Sequence, residues 1–130
     1  MILDVHNPPD DRWNRVAIVM GIFLGTAGVT HFLSPTFFDD IVPPWLPPSE
    51  RFWTYLSGVA EIVVAWLLLR PTTRRAGAIA AAWLFLAVYP ANLYMTWDWR
   101  DRAFGDQLVS YGRLPFQFLF IWLALRIAAT

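Results

Sequence analysis

The chain has 130 residues, ten basic and ten acidic, so its zero net charge calls for no nucleic acid and no acidic partner. It contains no cysteine, which excludes disulfides, thiolate metal sites, iron–sulfur ligation and any dithiol relay within it. With 57% hydrophobic and 15% charged residues and a mean hydropathy of +0.43, it is more apolar than a soluble bundle of this size needs to be.

The charge is gathered at residues 4–15, 39–51, 70–75 and 98–113, leaving apolar runs at 16–33, 52–69, 76–97 and 114–130. Each run is near the ~20 residues that cross a hydrocarbon core of ~30 Å. Stretches such as Ile79–Leu86 have no polar face. The pattern predicts an all-α fold, a four-helix transmembrane bundle forming a single membrane domain over residues 1–130. All ten basic residues are arginine, read here as an effect of a GC-rich genome. Residues 1–14 are polar with Pro8-Pro9, and no small-residue cleavage site follows the long first run, so an uncleaved first span is expected.

In the first span, Gly21, Gly25 and Gly28 share a stripe that lets another helix approach closely, and His31 stands at its end. The connection that follows is Pro-rich yet apolar. Pro43-Pro44 and Pro47-Pro48 preclude a continuous helix, so a short helix and then an extended segment are expected at the membrane interface. That segment reads either as a surface anchor or as a lid. The second span carries Ser57, Glu61 and Ala65 at i, i+4, i+8, one face of a helix. Glu61 is the sharpest feature of the chain. An acidic group at that depth marks a bundle interior, a cavity or a proton path.

The turn at 70–75 holds Arg70, Arg74 and Arg75. Together with Arg12, Arg15 and Arg126 it puts both termini in the cytoplasm by the positive-inside rule. Trp13, Trp45, Trp53, Trp97 and Trp99 lie near run ends, where indoles favour the headgroup zone. The third span carries an alanine stripe (Ala76, Ala80, Ala87, Ala91), with Tyr89 and Asn92 one turn apart. The fourth opens with Arg113 at its mouth and Gln117 just inside.

At about 1.5 Å per residue, His31 lies a few ångströms below the outer boundary, Gln117 roughly 5 Å, Asn92 roughly 8 Å and Glu61 roughly 13 Å. His31, Glu61, Tyr89, Asn92, Arg113 and Gln117 are therefore expected to form a polar pocket open to the outer side. The bland alternative is hydrogen bonding between helices, at ~0.6 kcal/mol each on average. A direct His31–Glu61 pair must span a depth gap of ~10 Å, which favours a bridging water or Asn92. His6 and His31 stand too far apart along one helix to share a haem iron, and His31 with Glu61 falls short of four zinc ligands.

The string Gly28-x-x-His31-Phe32-x-x-Pro35, then Ile41-Val42-Pro43, Leu46-Pro47 and Ser57-Gly58-x-x-Glu61-Ile62 resembles the DoxX-like family of small bacterial membrane proteins. Leu69-x-Pro71-x-Thr73-Arg74-Arg75, Tyr89-Pro90-Ala91-Asn92 and Arg113-Leu114-Pro115-x-Gln117 extend the match over roughly residues 15–125. The resemblance implies a multi-pass protein of the bacterial inner membrane, and some relatives are associated with thiosulfate:quinone oxidoreduction or oxidative-stress complexes. It points to an accessory subunit, not an enzyme on its own, binding a quinone-like amphipathic ligand beside a membrane redox partner, alone or as a homo-oligomer. With no cysteine, any redox role must rest on quinone or partner. Three further readings compete: a small proton-coupled transporter using Glu61, an isomerase-like acid–base enzyme acting through Glu61 and His31, and a purely structural bundle.

Overall fold

The computed structural model describes residues 11–130. Within them the chain is helical throughout, with no strand: α1 (Asp11–Leu33), α2 (Pro35–Asp39), α3 (Glu50–Leu69), α4 (Arg74–Asp98) and α5 (Phe104–Ala128). Three of these, spanning Arg12–Leu33, Glu50–Leu69 and Arg74–Asp98, are long and apolar enough to cross a membrane. Val19, Ile22, Trp66, Trp83 and Leu86 point outward and are more than half exposed. Large side chains of this kind on outward faces are what lipid, not water, covers. The chain is a membrane protein on these grounds.

Helix boundaries follow local chemistry. Ser49 caps α3, its Oγ accepting from the Phe52 amide at 3.2 Å, and Glu50 occupies the first turn, where the helix dipole favours an acid. At the other end Pro71 stops the helix, and side chains from the following turn satisfy its last carbonyls. Thr73 Oγ1 donates to Leu67 O at 2.9 Å, and Arg74 Nε to Leu68 O at 2.9 Å. Arg74 also reaches Asn14 Oδ1 of α1 at 3.1 Å, so one arginine ties three elements.

The charged stretch at 98–113 is not the long loop expected from hydropathy. Only residues 99–103 connect α4 to α5. The Gln107 side chain donates to the carbonyls of Arg100 (2.8 Å) and Arg102 (2.9 Å), closing a tight turn and starting α5 ten residues before its apolar run. Arg113 therefore sits well inside α5. The segment after α2 also differs from expectation. Ile41 N donates to Phe38 O, Val42 N to Asp39 O and Leu46 N to Pro43 O, so it runs as successive turns instead of extending.

α1 packs most extensively on α3, and α4 on α5; α3 against α4 joins the two pairs, while α1 and α5 touch over a short stretch. The glycine stripe of α1 faces α3. At Gly28 a Cβ would lie 2.9 Å from Gly58 O and 2.7 Å from Ile62 Cγ1, so both glycines are needed for the approach. The alanine stripe of α4 is not the packed one. Gly77, Ala78, Ala81 and Phe85 are buried while Ala76 and Ala87 are exposed; α4 is so rich in small residues that a stripe of alanine does not single out a face.

The core is continuous at the end holding the 70–75 turn, where Trp13, Ala17, Met20, Leu24, Leu68, Ala78 and Ile127 are buried. Trp13 and Trp99 belong to buried clusters, whereas Trp45 and Trp97 lie at the surface. Arginines stack on rings at both ends. Arg70 lies 4.5 Å over Trp66 and Arg126 5.2 Å over Trp13; at the other end Arg100 lies 4.0 Å over Trp97 and Arg102 4.2 Å over Trp99. A planar guanidinium suits that contact better than an ammonium. These four arginines therefore have a structural use.

Candidate functional site

At the opposite end the bundle is hollow. A cavity of about 540 Å³ lies between α1, α3, α4 and α5, beneath α2 and the turns after it. Five of the six expected residues line it: His31, Glu61, Asn92, Arg113 and Gln117. Tyr89 does not. The α4 positions on the cavity are Phe85, Val88, Ala91 and Asn92, and Tyr89 turns instead onto Phe118 of α5, ring centroids 5.3 Å apart.

His31 and Glu61 are in direct contact, Nδ1 to Oε2 3.2 Å, which corrects the expectation of a bridged pair. Two effects close the gap. The Gly28–Gly58 approach sets the antiparallel helices in a register that places the His31 Cβ against Gly58, one turn from Glu61. Helical side chains lean toward their own N-termini, so in antiparallel neighbours they lean toward each other. His31 Nδ1 also lies 2.7 Å from Ala27 O, to which it donates, and the ring stacks on Phe38 of α2 with centroids 3.7 Å apart. Glu61 Oε2 is buried and accepts no hydrogen bond.

The opposite wall is an amide network. Asn92 Nδ2 donates to Gln117 Oε1, and Gln117 Nε2 donates to the Phe85 carbonyl. That carbonyl lies in the turn weakened by Pro90, which has no N–H to return to Leu86. Asn92 and Gln117 are both buried. Arg113 reaches in from the third turn of α5, its guanidinium donating to Met95 Sδ at 3.6 Å, with no carboxylate among the described residues within 4 Å. Phe23, Phe85, Phe116 and Phe120 supply apolar walls.

The roof is anchored. Asp39 accepts from Thr54 Oγ1 at 2.6 Å and from Arg51 Nε at 2.9 Å, tying α2 to α3. Burial pushes the Asp39 carboxyl up, but the hydrogen bonds from Arg51 and Thr54 and the Arg51 charge outweigh it and hold the group below its ordinary value. Trp53 Nε1 donates to Pro47 O at 2.9 Å, and Ile41 packs with Met95 and Trp99.

Several lining residues went unremarked in the sequence. Thr54, Ser57 and Glu61 stand at i, i+3 and i+7, and that polar stripe could have shown Thr54. The phenylalanines carried no such signal, being indistinguishable from lipid-facing ones. His6 lies outside the described residues.

Residues 20–128 match the family described as Domain of unknown function (DUF8561). The chain belongs to that family. No curated protein and no solved structure matches it. The matched segment runs from α1 through the end of α5 and so includes every cavity residue named above.

Proposed function

We propose that this DUF8561 protein is a four-span inner-membrane protein, both termini cytoplasmic, that binds one small amphipathic, quinone-like molecule as an accessory subunit beside a membrane redox partner. One observation carries the reading. The cavity joins aromatic and aliphatic walls to a carboxyl, an imidazole, a guanidinium and two carboxamides facing inward. Small-molecule sites are typically ~300–1,000 Å³, mostly apolar, with a few converging polar groups, and about 540 Å³ falls within that range. A group as costly as Glu61 within an apolar helix is kept where it has work to do.

α5 has 25 residues, about 37 Å of helix, enough for a fourth span even though its first turns are polar. The arginines at 70–75, with Arg12, Arg15 and Arg126, favour that end as the cytoplasmic one. The DoxX-like resemblance supports bacterial origin and a redox neighbour. The short α1–α5 contact, flanked by the half-exposed Phe23 and Phe116, offers a route from the lipid to the cavity.

The test is to purify the protein in mild detergent and identify bound small molecules by mass spectrometry. Wild type should carry one defined amphipathic class near one per chain, and Glu61→Gln should lose most of it. The same non-specific lipid mixture in both would end the reading.

A second reading gains from the 3.2 Å His31–Glu61 separation: acid–base isomerisation of a sterol-like ligand, since the pair puts two titratable groups side by side where one bound substrate can meet both. Its check is conversion of a β,γ-unsaturated steroid ketone to the conjugated isomer by absorbance. Turnover by wild type that disappears in Glu61→Gln would support it; no turnover would exclude that substrate chemistry.

A further inference from the structure

The cavity is not walled equally on every side. Of the described residues that line it, Phe23 of α1 and Phe116 of α5 are exposed, 52% and 58%, and the others are buried or half-buried. Both belong to the α1–α5 pair, which touches over only a short stretch. Near the filled end those helices meet through Trp13 on Trp122, and further along through Phe23 on Phe120. Beyond that second contact, Ala27 and His31 of α1 and Arg113 and Phe116 of α5 line the space between them. The gap therefore opens sideways, with Phe23 and Phe116 as its rim.

The depth of the rim decides what can use it. Phe23 lies ten residues before Leu33, about 15 Å of helix, and Phe116 is the middle residue of α5. Both stand near the centre of a hydrocarbon core of ~30 Å, at the level of lipid tails and away from the headgroups. The aqueous end is tied down instead, Asp39 holding Thr54 and Arg51, and Trp53 holding the Pro47 carbonyl. A solute confined to water meets that roof, whereas one dissolved in the bilayer meets the rim. Inside the rim Phe120 packs on Phe23, Phe85 and Phe116, with ring centroids 5.4, 5.4 and 6.4 Å away. Apolar surface thus runs from the lipid face to the cavity wall.

We infer that the occupant is a chain-bearing lipid that enters sideways between α1 and α5, its polar head inside the cavity and the end of its tail left in the bilayer. The inference rests on the four-span, ligand-binding reading above and adds the class of molecule and its posture. Glu61, Asn92, Arg113 and Gln117 give the head its polar surroundings. A compact ligand sits wholly inside and makes no use of the rim. Carbons beyond the rim lie among lipid tails in both the free and the bound state. Lengthening the chain therefore leaves the affinity, counted per membrane lipid, nearly unchanged. In a closed cavity the same carbons must be packed inside, and overpacking is unfavourable.

The experiment photolabels the wild-type chain in lipid vesicles with para-hexadecylphenol bearing a diazirine at the last carbon of its tail, and maps the labelled residues by mass spectrometry. Unlabelled para-octylphenol or para-hexadecylphenol, at known mole fractions of the lipid, is the competitor. Labelling at and around Phe23 and Phe116 should fall several-fold with competitor. Background labelling of the outward-facing Trp66 of α3 and Trp83 of α4 should not. The two competitors should act at mole fractions within about threefold of each other, as expected of carbons that never leave lipid. Competable label confined to Leu24 and Phe85 inside, or to α2, would overturn the inference while leaving a ligand site. So would a hexadecyl competitor weaker than the octyl one by about tenfold or more, the mark of a closed cavity. No competable label anywhere would overturn the site as well.

Discussion

Gln117 holds the cavity wall together by bridging a side chain and a main-chain carbonyl of α4. Replacing it with leucine removes two interhelical bonds and strands Asn92. At ~0.6 kcal/mol per bond in membrane bundles, plus the burden of an unmet buried amide, Gln117→Leu should destabilise by about 1–2 kcal/mol. Asn92→Leu added to it should cost clearly less than the sum of the single changes, because no polar group is then left alone. Unfolding midpoints of the four proteins in one detergent check this; strict additivity would show that the bond is not made. The individual residues of this site were largely legible, since Glu61, Asn92 and Gln117 are polar where polarity is expensive. The His31–Glu61 contact was not, because depth counted along separate helices omits both register and the lean of side chains. Tyr89 was misassigned for a related reason: at i and i+3 its direction differs enough from Asn92 to meet α5 instead.

Among the elements, the α1–α3 crossing sets the geometry of the acidic pair. Gly28→Ala would put a methyl 2.9 Å from the Gly58 carbonyl, a backbone atom that cannot step aside, so a loss of about 1–3 kcal/mol is expected. Gly112→Ala in α5 meets nothing within 4 Å and should instead stabilise, by up to about 1 kcal/mol through helix propensity. Opposite shifts in the thermal midpoints of the two variants are the expected result. The tie from α2 to α3 has its own signature. Asp39 titrates below its ordinary value when folded, so its contribution is present above the unfolded pKa and fades as the pH falls from about 4 downward. Asp39→Asn should therefore lower the thermal midpoint at pH 7, and the deficit should narrow toward pH 3; a deficit independent of pH would remove the carboxylate from the account. The helices themselves could be read from hydropathy, as could the α1 glycine face. The start of α5 could not, because a polar first turn fixed by Gln107 looks the same as a loop in composition.

The whole molecule divides along its length, with a filled core at the end of the 70–75 turn and a cavity at the end covered by α2. The first end gives rigidity, and the second leaves room for a molecule. That division was not legible in the sequence, because apolar residues that fill a core and those that wall a cavity are the same residues, and only their spacing in three dimensions differs. The absence of native cysteine makes the division directly measurable, since one introduced thiol is the only one present. Ser57 lines the cavity, whereas Leu68 is fully buried in the core. In native membranes, Ser57→Cys should react readily with a small permeant maleimide and be protected by a short-chain alkylphenol, while Leu68→Cys should stay inert. If the thiol at position 57 were as unreactive as that at 68, or reacted with no protection by the phenol, the claim that this bundle holds an accessible ligand cavity would be contradicted.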